Sequence, residues 1–203
     1  MAFESDLAQL FASLVAIVIG LTFHEFSHAF VADQLGDHRP RALGRVSLNP
    51  LRHLDPIGSL MLLIARFGWA KPVPVNPYAL RPGRIGMTYV AAAGPVANLV
   101  VATGFAVIAR LLDLAGIGGF VLEVLQWVVF INVLLAVFNL IPIPPLDGYN
   151  VVLPFLPPAT AMTVQRYAPY GVIVLLLLIL LPGSPLRLLF RVVDPITSFL
   201  LGA

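Results

Sequence analysis

Residues 7–32 form an apolar run broken by very few polar side chains, and that run fixes the class of structure open to this chain. A helix of about 20 apolar residues crosses a bilayer, so the run is long enough to span one. Three more runs read the same way, at 85–112, 120–141 and 169–181, the last short for a full crossing. Hydrophobic residues make up 59% of the chain and charged residues 11%, with a mean hydropathy of +0.95. A soluble domain carries about a quarter of its residues as charges, so composition and runs agree. Backbone polar groups in hydrocarbon must pair within their own segment, which favours helices. The sequence therefore predicts an all-α integral membrane protein with about 4–6 membrane helices and a single domain over residues 1–203.

The opening Met-Ala-Phe-Glu-Ser-Asp-Leu lacks the basic region of a secretory signal, and the apolar run after it is too long for one. It is expected to stay as a transmembrane helix. Between the first two long runs lie Arg39, Arg41, Arg45, Arg52, Arg66, Lys71, Arg81 and Arg84, against the acids Asp33, Asp37 and Asp55. Positive-inside bias puts this loop in the cytoplasm and the N-terminus outside. Clustered in this way, the basic residues are a topology signal, and no nucleic-acid partner is expected. Within the loop, 57–67 is too short to span and reads as a re-entrant or surface-lying helix. Residues 69–80 carry Pro72, Pro74 and Pro77, which forbid a regular helix. They suit either a rigid loop or a β-like edge onto which an extended peptide could add. The tail at 185–201, leucine-rich but holding Arg187, Arg191 and Asp194, reads as an interfacial amphipathic helix.

The first run contains His24, Glu25 and His28 near its inner end. Ionisable groups in hydrocarbon cost about 2.5–3.5 kcal/mol each on insertion scales, so they mark function and find partners. On a helix, i and i+4 share a face, and His24 and His28 can grip one metal ion with Glu25 beside it as a base. The chain has no cysteine, so a tightly held metal must use His, Asp or Glu. Two histidines leave a third ligand to find. Glu123, Asp113 and Asp194 lie elsewhere, whereas Asp147 follows the inner end of the third run, where Pro142, Pro144 and Pro145 break the helix.

His24-Glu25-Phe26-Ser27-His28, then Gly94-Pro95-Val96-Ala97-Asn98, then Asn139-Leu140-Ile141-Pro142 with Leu146-Asp147-Gly148 resemble, in order and rough spacing, the site-2 protease family. These are zinc-dependent intramembrane metalloproteases. The resemblance covers most of residues 20–150. It implies one Zn2+ per chain held by His24, His28 and Asp147, with Glu25 as catalytic acid and base. Asn139, or less readily Asn98, is the candidate for oxyanion stabilisation, and interhelical packing is the plainer role for Asn98. His38 and His53, in the basic loop, are expected to be solvated or interfacial rather than ligands. Phe23, Phe26 and Phe30 are expected to pack against lipid or neighbouring helices. No inserted PDZ-like or nucleotide-sensing module is visible, so a minimal catalytic-core member is expected.

The resemblance further implies a multi-pass protein of a bacterial or archaeal cell membrane, and the charge bias puts its site toward the cytoplasm. Its substrate would be a transmembrane helix of another protein, in contact with lipid, and a second copy of the chain is a further candidate partner. Two rival readings stay open from the residues alone: a metal transporter using the same ligands in transit, and a silent scaffold that keeps the motif's shape.

Overall fold

The computed structural model describes residues 2–65, 68–181 and 184–202. Its order is α1 (Ala2–Gln34), α2 (Arg39–Ala42), α3 (Pro56–Ala65), α4 (Arg84–Leu114), α5 (Phe120–Asn139), α6 (Asp147–Val152), α7 (Pro158–Tyr167), α8 (Gly171–Leu180) and α9 (Phe190–Leu201). There is no strand among the described residues, only an isolated antiparallel bridge between Leu54 and Ala70. Among the described residues, four helical stretches are long and apolar enough to cross a membrane: Leu7–Gln34, Arg84–Leu114, Phe120–Asn139 and Pro158–Ile179.

Three of these, α1, α4 and α5, pack against one another and form the centre of the molecule. Their seams are built from small and β-branched residues. Ala16, Val101 and Val128 meet in one buried cluster, and Ala102, Ala106, Val129 and Val133 in the next. Lipid tails are as apolar as a leucine side chain, so burying hydrocarbon gives little drive between spans. Close approach and van der Waals contact hold such helices instead, which explains the small residues. At Gly20 of α1 an added Cβ would lie 2.7 Å from Leu135 Cδ1 and 3.3 Å from Asn132 Oδ1, so α1 and α5 touch there almost backbone to side chain.

α5 stops at Asn139, and the proline-rich 142–145 stretch explains why it goes no further. The chain turns through Leu140–Leu146, with a cis peptide between Pro144 and Pro145, and re-enters helix at Asp147. The fourth span differs from expectation. It begins near Pro158 rather than 169 and is interrupted at Ala168–Tyr170, where Pro169 removes a backbone donor. α9 is amphipathic as expected, and its apolar side packs along α4 and α5, with Val193 fully buried beside Ala102 and Val133.

The basic loop is folded back onto the end of α1 rather than trailing from it. Arg41 forms a two-pronged pair with Asp33 (3.0 and 2.7 Å), and Arg39 another with Asp37 (2.8 and 2.9 Å). The Arg39 guanidinium, helped by the Asn76 N–H at 2.6 Å, holds the Asp37 carboxyl down at about 2. Arg81 N–H donates to Leu35 O at 2.8 Å and Lys71 N–H to His53 O at 2.7 Å. These ties draw residues 71–76 back toward the inner end of α1 as an irregular strap. The expected 57–67 helix is present as α3; Arg66 and Phe67 lie outside the described residues.

Candidate active site

His24 and His28 sit one turn apart on the inward face of α1, both buried. Each ring is fixed by a partner on α4. His24 Nδ1 lies 2.7 Å from Asn98 Oδ1, and His28 Nδ1 lies 2.7 Å from the Val90 carbonyl oxygen. Both partners are acceptors, so each imidazole donates from Nδ1, and in the neutral ring each Nε2 keeps its lone pair. The two Nε2 atoms are 3.0 Å apart. Asp147, the first residue of α6, brings Oδ2 to 3.0 Å from His24 Nε2 and 3.2 Å from His28 Nε2.

With both rings neutral, three electron-pair donors converge at such distances and repel, and the buried Asp147 Oδ2 has no hydrogen-bond partner. A cation between them removes the conflict. Tetrahedral ligands about 2.0–2.1 Å from zinc are about 3.3–3.4 Å apart, close to the separations here. All three donor atoms lie within 4.8 Å of one another. The room for an ion is made at Gly94 on α4. An added Cβ there would fall 2.5 Å from His28 Nε2 and 2.6 Å from His24 Cε1. The residues present therefore fit a zinc ion.

Glu25 is buried on the same stretch but is not part of this donor set. It lines the same cavity of about 220 Å³. Its neighbour is Arg45, whose Nη2 stands 3.7 Å from Glu25 Oε2. Asn139 and Asn150 contribute amides to the wall, and Pro72, Val73 and Val75 of the strap form a roof. Asn139 Nδ2 donates to its own helix at Leu135 O, 2.9 Å away.

Asn98 does more than pack. Its Nδ2 donates to Gly20 O at 3.0 Å and to Asn132 Oδ1 at 2.8 Å, and Asn132 Nδ2 in turn donates to Val128 O at 2.8 Å. Both asparagines are fully buried. With every amide group engaged, Asn98 Oδ1 can face only His24. Replacing Asn98 with alanine is expected to weaken zinc binding about 10–100-fold, the usual cost of losing a ligand's orienting partner. Competition against a chromophoric chelator measures it, and an unchanged affinity would remove Asn98 from this role.

Sequence reasoning missed Asn132, Arg45 and the burial of His53. Asn132 was legible as a polar residue within an apolar span, seven residues before Asn139 and so near its face. His53 corrects an expectation. It is fully buried instead of solvated, its Nε2 donates to Ser47 O at 2.6 Å, and burial above all lowers its pKa. The loop that carries it folds over itself, which no local pattern announces. His38 is exposed, as expected, and pairs with Asp33 at 2.9 Å.

The family described as Peptidase family M50 matches residues 113–181. The Bacillus subtilis protein named "Putative zinc metalloprotease YwhC" is 37% identical over 175 residues, covering 83% of this chain and 80% of that one. "Putative zinc metalloprotease Rip2" of Mycobacterium tuberculosis is 34% identical over 171 residues, 81% of this chain and 65% of its own length. The Rip2 protein of Mycolicibacterium smegmatis is 32% identical over 177 residues, 82% and 65% of the two chains. The chain thus spans just under two thirds of the Rip2 proteins. No solved structure matches it.

Proposed function

The chain belongs to peptidase family M50, the site-2 proteases, and from that membership and the donor cluster we propose that it is a zinc-dependent intramembrane endopeptidase. It would cut membrane-spanning segments of other proteins near the cytoplasmic side. The observation that carries the reading is the convergence of His24 Nε2, His28 Nε2 and Asp147 Oδ2, with each ring's Nδ1 engaged elsewhere, beside a buried glutamate that stands outside the set. Neither transit of an ion nor a silent scaffold calls for that glutamate.

His24, His28 and Asp147 would hold zinc, which when bound acidifies a water and polarises the scissile carbonyl. Glu25 takes the water's proton on a carboxylate oxygen and delivers it to the leaving amine nitrogen. Asn139 stands on the cavity wall as the candidate to steady the developing negative charge, provided the second hydrogen of its Nδ2 turns into the cavity. The three apolar spans around the cluster limit water to the small cavity and strengthen each polar contact within it.

A substrate helix hides its peptide bonds in its own ladder, so it must open locally before it is cut. The strap offers an alternative ladder. Among the described residues, the Val73 and Val75 amides make no hydrogen bond, while Pro72 and Pro74 have no N–H to offer. Alternate N–H groups of an extended chain face one edge, so in an extended form Val73 and Val75 would present a single open edge at the roof of the cavity. An extended segment adding there would lie beside Glu25.

The decisive experiment places the purified protein in a lipid bilayer with a tagged single-span substrate. Cleavage is expected within the span, to stop when a chelator strips zinc, and to return when zinc is restored. Cleavage that persists in metal-free protein would sink the reading.

A further inference from the structure

Arg45 occupies a position that the reaction as described does not use. It is 4% exposed, a cation buried between the inner end of α1 and the strap. Its main-chain N–H is anchored on Pro40 O at 2.8 Å, so the side chain starts from a fixed point. Nη1 donates to Pro72 O at 3.1 Å and Nη2 to Lys71 O, while the same Nη2 faces Glu25 Oε2 at 3.7 Å. One planar group thus touches both the roof of the cavity and the carboxylate beneath it.

The strap has few other ties at this point. Lys71 N–H is held by His53 O at one end and Asn76 N–H by Asp37 Oδ2 at the other. Between them, among the described residues, the Arg45 bond to Pro72 O is the only hydrogen bond that reaches residues 72–75. Burying a guanidinium is costly, and removing half of such an arrangement leaves the remaining groups unpaired. The fork geometry is what lets one side chain bridge two carbonyls and a carboxylate, and a lysine ammonium reproduces the charge but not the fork.

We propose that Arg45 is a positioning residue for proteolysis, fixing the Glu25 carboxylate and the 71–73 roof at one mutual spacing. A substrate strand laid along the roof is then held at a set height above the base. The inference rests on the proposed peptidase reading, but its hold on the roof can be measured apart from any cleavage. The chain has no cysteine, so Val73→Cys supplies a single thiol in the roof.

In that background, Arg45→Ala and Arg45→Gln are expected to speed maleimide labelling about tenfold, as loss of hydrogen bonds to a charged group implies, with Arg45→Lys in between. With a peptide substrate and an otherwise unaltered chain, Arg45→Ala should raise KM and lower kcat by about tenfold each on the same grounds, with Arg45→Lys restoring part of both. Bound zinc should stay at the level of the unsubstituted protein. Unchanged labelling, or a lower kcat with KM untouched, would overturn the proposal. So would a fall in bound zinc in step with faster labelling, because that marks general loosening. If the unsubstituted protein fails to cleave any substrate yet labelling of Val73→Cys responds to Arg45, the peptidase reading fails and the hold on the roof stands.

Discussion

Replacing Gly94 with alanine is expected to empty the metal site and abolish proteolysis, although Gly94 supplies no ligand. The added methyl would sit 2.5 Å from His28 Nε2 and 2.6 Å from the Cε1 atoms of both histidines, far inside van der Waals contact. Flexible side chains escape such a clash by swinging aside. These rings cannot, because each is pinned through Nδ1 to α4 itself, by Asn98 and by the Val90 carbonyl. Nor can α4 withdraw, since Asn98, Val101 and Ala102, on the turns that follow, are buried against α1 and α5. A methyl would occupy the place where the lone pairs converge, and zinc affinity should fall by at least the roughly 100-fold at the upper end of lost orienting contacts. Elemental analysis of the purified variant, beside a circular dichroism spectrum that still reports helix, checks this. Full zinc occupancy at position 94 with alanine would contradict the cradle.

Glu25→Gln separates metal binding from chemistry. Glutamine keeps the size of the side chain but cannot accept the proton, so cleavage should fall about 10²–10⁴-fold, the usual contribution of a general base. Zinc should remain at one per chain, because the candidate donors are the clustered His24, His28 and Asp147 while the glutamate stands toward Arg45. His28→Ala makes the contrast, since it should lose zinc and cleavage together. A Glu25→Gln protein with undiminished turnover would remove Glu25 from the reaction. The same variant should hold uncut substrate, and mass spectrometry of what co-purifies from native membranes would identify it.

The central bundle was legible because each of its helices carries its own signal. The long apolar runs announce α1, α4 and α5, and the i, i+4 histidines announce the inward face of α1. Asp147 could be found by elimination, since it was the one remaining acid at the right depth after a break the prolines impose. The spacing of fragments across the loop was not legible. Arg45 reads in sequence as one of a group of topology-setting cations, and only the fold-back of the strap takes it out of water. His53 is buried by the same fold-back. The fourth span was misjudged at its start because α7 is polar enough to look like a loop, and the amphipathic pattern of α9 did not say that a bundle covers its apolar side. These failures share a cause: periodicity reports which face of a helix is apolar, not what covers it.

The two histidines also differ in how far mutation can reach them. His28 is oriented by a main-chain carbonyl, which every amino acid at position 90 supplies. His24 is oriented by a side chain that is itself oriented by another, so two codons stand behind a single imidazole. Adjustment of ring orientation, by natural drift or by a protein engineer, therefore runs through positions 98 and 132. The His28 half of the site is hard-wired, and the His24 half is where the site can be tuned.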